Sequence, residues 1–162
     1  MTQIKIKRNI LGDTRTATRV PDFYEFVDAN NEHRKDVSNM MNMVANMVRD
    51  SGKNHDYTKS DEPHRSLFYR ELCEVIEKKT NSFEDGEWYP MHYKTERHHL
   101  NKYCPEDVNL IDVLEMICDC VCAGMARSGN VYPIEISSEI LQKAVANTEQ
   151  MLIDAVKLGE SE

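Results

Sequence analysis

No window of this sequence approaches the roughly 18 to 20 consecutive apolar residues of a membrane span, and Met1 to Asn9 carries lysines without the apolar segment of a secretory leader. Membrane insertion and secretion are therefore not expected, and the protein is expected in the cytoplasm. There is no C-x-x-C pair. The five cysteines, Cys73, Cys104 and the alternating Cys118, Cys120 and Cys122, suggest neither a disulfide framework nor a zinc ribbon. They read as small buried hydrophobes in a reducing compartment. Internal repeats, low-complexity tracts, a Gly-rich phosphate cradle and a G-x-S-x-G elbow are also lacking. Basic residues are outnumbered, 20 against 28 acidic ones, for a formal charge of -8. That balance argues against polymeric nucleic acid or anionic lipid as a partner.

What is present is enough chain, 162 residues, for one domain with its own core. Gln3 to Lys7 alternates as a short strand would, and Gly12 to Arg19 reads as a loop or arm. Pro21 opens a short turn with Phe23, Phe26 and Val27 on its apolar side. Helices are then expected from Asn30 or Asn31 to a stop at Gly52, and from a Ser60 or Asp61 cap to Lys78–Thr80. A polar loop, Asn81 to Glu87, precedes a third helix from about Trp88 to His99. A fourth, opened by Pro105 to Asp107, carries the stripe Leu110, Ile111, Leu114, Ile117, Cys118, Val121 and Met125 up to Gly129. Ser137 or Ser138 caps a last helix through Val156, assigned to packing or self-association. The expected fold is all-α: a compact single-domain bundle of about five to six helices with a short N-terminal arm or strand. Its parts would be an arm over 1–29, a helical core with a metal site over 30–129 and a packing helix over 130–162.

The chemistry lies in the order of histidines and acids. His55-Asp56 offers one imidazole nitrogen and one carboxylate oxygen from adjacent positions, at a junction between helices. His33, four residues before Val37, falls on the inward stripe near the start of the first long helix. On a helix His92, Glu96 and His99 share a face; a backbone break at the double histidine would let His98 replace His99, and the sequence leaves both open. Asp112, Glu115 and Asp119 align on the fourth helix, whose nearly continuous apolar surroundings mark it as central. Imidazole and carboxylate without thiolate suit a divalent ion, from Mn, Fe, Co, Ni, Zn and Mg, one or two per chain. Such an ion acidifies a bound water and neutralises a phosphoryl or carbonyl oxygen.

The series His33, His55-Asp56 with Lys59, His92, His98-His99 and Asp119 resembles the HD-domain superfamily of metal-dependent phosphohydrolases, above all its branch with extra histidines before the final Asp. His55–Lys59, His92–His99 and Glu115–Asp119 are also similar to the H-D-x-S-K, H-x-x-x-N-x-H-H and E-M-x-x-D elements of a small bacterial and phage family. Glu96 stands in place of the Asn, and no G-Y-P element is present. The resemblance covers about the middle half of the chain. It implies an HD-like helical fold, with His33, His55, Asp56 and Asp119 around a first ion and His92 with His98 or His99 around a second. Asp56 and Lys59 would be catalytic, and Lys59 and Arg97, with Arg65 or Arg127, would meet the phosphate. The expected partner is a small phosphorylated molecule, a nucleotide or related phosphoester. A di-iron oxygenase and a non-catalytic regulatory or host-interaction protein are the alternatives, alongside the plain reading that the histidines never converge.

Overall fold

Asp22 starts the longest element of the chain. Its carboxylate accepts the backbone N–H groups of Tyr24 and Glu25, 2.9 Å each, at the head of helix α1 (Phe23–Asn54). The start expected at Asn30 or Asn31 and the stop expected at Gly52 are both absent, because the helix runs through all three. Asn30 turns its amide back to the Phe26 carbonyl at 2.7 Å, so it makes its bond inside the helix instead of capping one. The stop comes at Asp56, whose φ of 54° and ψ of 33° is the left-handed conformation that ends many helices.

The computed structural model describes residues 3–13, 15–77 and 82–159. Besides α1 these form strand β1 (Ile4–Lys7), helices α2 (His64–Ile76), α3 (Trp88–Thr95), α4 (Leu110–Ser128) and α5 (Ser138–Ala155), and strand β2 (Val156–Gly159). Single 3₁₀ turns cover Tyr57–Lys59 and Phe83–Asp85. The fold is thus mostly helical, with five α-helices among the described residues and a short N-terminal strand. The expected end of α2 at Lys78–Thr80, and Asn81, lie outside the described residues. No described helix is long and apolar enough to cross a membrane.

The chain falls into two compact units, Met1–Met47 with Glu149–Glu162, and Val48–Thr148. These boundaries lie within α1 and α5. In the first unit β1 pairs in parallel with β2, Ile4 opposite Val156, over a core of Ile4, Met43 and Ala155 with Ile6, Met40 and Leu152. The sequence pattern carries α5 through Val156. The β-branched Val156 opens a strand instead, because β1 presents backbone groups that need a partner.

The second unit is built on Leu100, Val108, Val113, Met116 and Ala144, with Cys104, Cys120 and three isoleucines against them. Asn109, and not the Pro105–Asp107 stretch, starts α4. Its side chain accepts from Ile111 and Asp112 while Asp112 answers to the Asn109 N–H, a reciprocal capping box. Gly129, at φ 70°, closes the helix. The face of α4 is not the expected one. Leu114, Ile117, Val121 and Met125 are exposed and so is Cys118, whereas Ile111, Asp112, Val113 and Met116 are buried. The acidic side turns inward because each inward acid meets a cationic or imidazole partner.

Candidate metal centre

All the converging residues belong to the Val48–Thr148 unit. The left-handed Asp56 is the only non-glycine residue with positive φ among those described. For a non-glycine residue this conformation costs about 1 kcal/mol or more, and such strain gathers at functional sites. Here it turns the chain from the end of α1 into the Tyr57–Lys59 turn, where the Asp56 carbonyl accepts the Lys59 N–H at 2.8 Å. His55, Asp56 and Lys59 are thereby presented together.

The histidines reach Asp56 from two other elements. His92 lies on α3, stacked on Trp88 with centroids 4.3 Å apart. The helix ends at Thr95, short of the expected His99, and Glu96 is extended. Two adjacent side chains pull the chain in different directions there: Glu96 is bound by Thr58, and Arg97 by Asp107 and Asp112. The break sends both His98 and His99 to the centre. His99 stacks on Tyr93 at 4.0 Å, and His98 is buried.

A chain of hydrogen bonds fixes which nitrogen faces inward. Thr58 Oγ1 gives its only hydrogen to Glu96 Oε1 at 2.7 Å, so at 2.7 Å from His92 Nδ1 it can only accept. Nδ1 therefore carries the hydrogen, and Nε2 of His92 keeps a lone pair. His55 follows the same pattern, with Nδ1 2.9 Å from Glu115 Oε1. His98 Nδ1 is 3.0 Å from that same oxygen, off the line of a full hydrogen bond. The second oxygen of Glu115 receives the Ser51 hydroxyl. Such outer partners set the tautomer and aim of metal-binding histidines.

The inward atoms lie around Asp56. His55 Nε2 is 3.4 Å from Asp56 Oδ2 and 3.6 Å from Asp119 Oδ1. His92 Nε2 and His98 Nε2 are 3.4 and 3.7 Å from Asp56 Oδ1, and His99 Nε2 is 2.9 Å from His92 Nε2. Atoms bound to one ion at about 2.0–2.2 Å and separated by 90–110° stand roughly 2.8–3.6 Å apart. The observed spacings fall in or just outside that range. Asp56 Oδ1 and His98 Nε2 are moreover buried without a hydrogen-bond partner, a costly state for polar atoms that a shared cation would relieve. Four groups among the described residues could hold an ion, His55 with Asp56 and Asp119, Asp56 with His98 and His99, Asp56 with His92 and Glu96, and His55 with His98 and Glu115, and Asp56 belongs to three of them.

Charge suits His92 and His99 as lone-pair donors. Burial pushes His92 down to about 3 against the pull of Asp56, and burial with the neighbouring His98 takes His99 to about 4. Both rings are neutral at pH 7, as metal ligation requires. Burial also acts on His98, but Glu115 and the Asp56 and Asp119 charges outweigh it and raise the pKa. Burial would raise Glu115, yet His98, Ser51 and His55 hold it at about 2. Asp56 is lowered because Lys59 and the histidines outweigh its burial, and the Lys59 ammonium rests directly on Oδ2.

Other expected site residues are placed elsewhere. His33 is exposed on α1 in the first unit and joins none of the groups able to hold an ion. The inward face assigned to it rested on its spacing of four from Val37, and Val37 is itself exposed. Arg97 grips Asp112 through Nε and Nη2, both at 2.8 Å, and Asp107 through Nη1 at 3.0 Å and its carbonyl at 3.1 Å. It is a tether of the scaffold and not an open phosphate contact, and Asp112 is its partner and a helix cap. Arg65 pairs with Glu62. Arg127 and Lys59, by contrast, line a cleft of about 940 Å³ that also borders His92, His98, His99 and Asp119.

Thr58 is the one residue of this network that the sequence did not single out; Glu96 and Glu115 were aligned with the histidines and with Asp119 but given no role.

A sequence model of a family of unknown function (DUF5662) matches residues 22–157, and the chain belongs to that family. No curated protein and no solved structure matches it.

Proposed function

We propose that the protein is a metal-dependent phosphohydrolase acting on a nucleotide or a related small phosphoester. Its one or two divalent ions would be held by His55, Asp56, His92, His98, His99 and Asp119. The observation that carries this reading is the orphaned pair Asp56 Oδ1 and His98 Nε2, set among imidazoles whose outer nitrogens are already engaged by Thr58 and Glu115. The group supplies, when bound, an acidified water and a positive charge for the phosphoryl oxygens. Asp56 turns one oxygen towards His55 and the other towards His92 and His98. Lys59, half-buried at the cleft, brings its ammonium to the same carboxylate and is the cation best placed to meet a phosphate. Thr58, Glu96 and Glu115 hold the rings.

The order of these residues and the all-α fold support an HD-type assignment, with a ligand set that leaves out His33. The four imidazoles also suit iron, which favours a di-iron oxygenase as the second reading. Metal analysis of the purified protein, followed by a panel of nucleotides and small phosphoesters with Mn, Co, Ni, Zn or Mg, separates the two. The hydrolase reading expects phosphate or pyrophosphate release that Asp56→Ala abolishes. Bound iron with oxygen consumption and no release with any ion would favour the oxygenase.

A further inference from the structure

The cleft of about 940 Å³ is larger than a phosphoryl group needs; pockets of roughly 300–1,000 Å³ enclose whole small molecules. Asp119, Ala123 and Arg127 all line it and recur every fourth residue on α4. This wall therefore extends about 12 Å along the helix from the metal centre. Near the end of α4 the cleft is bordered by Tyr132, Pro133 and Ile134. Tyr132 is 74 % exposed, so its ring is not part of the core.

The segment carrying Tyr132 is nevertheless held in place. A Cβ added to Gly124 would lie 2.6 Å from the Asn130 carbonyl oxygen and 3.3 Å from the Val131 Cα. Only glycine admits so close a backbone approach. The Ser128 hydroxyl lies within hydrogen-bond reach of the Gly124 and Asn130 carbonyls, 3.2 and 3.3 Å away, and the Asn130 amide donates to the Ser128 carbonyl at 3.2 Å.

We infer that this part of the cleft is a subsite for a planar ring carried by the phosphoester, with Tyr132 stacking on the ring and Arg127 beside it. The inference rests on the proposed hydrolase for the position of the phosphate, and on the cleft alone for the ring. A nucleobase and a simple aryl group share the required chemistry.

The test uses the metal-loaded full chain and compares adenosine 5′-monophosphate, phenyl phosphate and ribose 5-phosphate. The ring-bearing esters should show the lower KM. Tyr132→Ala, and independently Gly124→Ala, which must displace the Asn130 segment, should bring the KM ratio towards one. The expected change is roughly five- to hundredfold, the range for loss of one stacking contact. Preference for the adenosine ester over the phenyl ester identifies a nucleobase, and the reverse a small aryl group. Equal KM values for all three in the wild type would overturn the subsite while leaving the hydrolase standing. Should no ester be cleaved, calorimetry decides: adenosine monophosphate binding weakened by Tyr132→Ala keeps the subsite while the hydrolase reading falls. Absent binding, or equal binding by both proteins, overturns the subsite.

Discussion

Asp56 combines a strained backbone with a carboxylate at the meeting point of the inward-facing histidines, and its substitution separates stability from function. Asp56→Gly relieves the left-handed conformation, by about 1 kcal/mol, which offsets the lost pairing with Lys59. The metal-free variant should therefore melt within a few degrees of wild type while binding no divalent ion, as read by calorimetric titration. Thr58→Ala tests the orienting shell. It removes the acceptor of His92 Nδ1 and the donor to Glu96, and metal affinity should fall roughly 10- to 100-fold. The histidines also make a pH prediction. His92 and His99 have folded values of about 3 and 4, below the unfolded value near 6.5. The unfolded chain thus takes up more protons as pH falls, and stability falls with it. His98 is shifted the other way, but its contribution is complete below pH 6.5 and constant there. From pH 6.5 to about 5 the melting temperature of the metal-free protein should drop; a flat or rising profile would contradict neutral buried rings.

At the scale of elements, α4 joins scaffold and site. Its capping box is local, so Asn109→Ala should cost about 1 kcal/mol, seen as a lower melting temperature with metal affinity unchanged. The same helix marks the limit of reading the sequence. That His55-Asp56, His92, the double histidine and Asp119 come together was legible in their order along the chain, an adjacent donor pair followed by donors spaced along later helices. The direction of α4 was not: apolar spacing favoured Leu114, Ile117 and Val121, and only the partners of Asp112 and Glu115, distant in sequence, turn the acidic side inward. The length of α1 was misread because Asn30 and Gly52 are common punctuation, while the real stop, Asp56, is a residue seldom used for it. Strand β2 was hidden because Val156 fits a helical stripe as well as a strand, and its pairing with Ile4 lies at the other end of the chain. His33 was given an inward face by its spacing from Val37, an apolar residue that is itself exposed on α1. His33→Ala should leave metal stoichiometry unchanged.

For the whole molecule, the proposed centre makes stability depend on metal. A ligand that binds only the folded state stabilises it by about 2.7 kcal/mol at a hundred times its dissociation constant, so a divalent ion should raise the melting temperature and a chelator should reverse the rise. The most direct test of the central claim is the metal content of the purified chain after chelation, reloading and removal of free ion, measured beside Asp56→Ala. The account predicts one or two divalent ions per wild-type chain and a loss of tight binding in the variant. Wild-type protein that retains no ion above background, or a variant that retains as much as wild type, would contradict it.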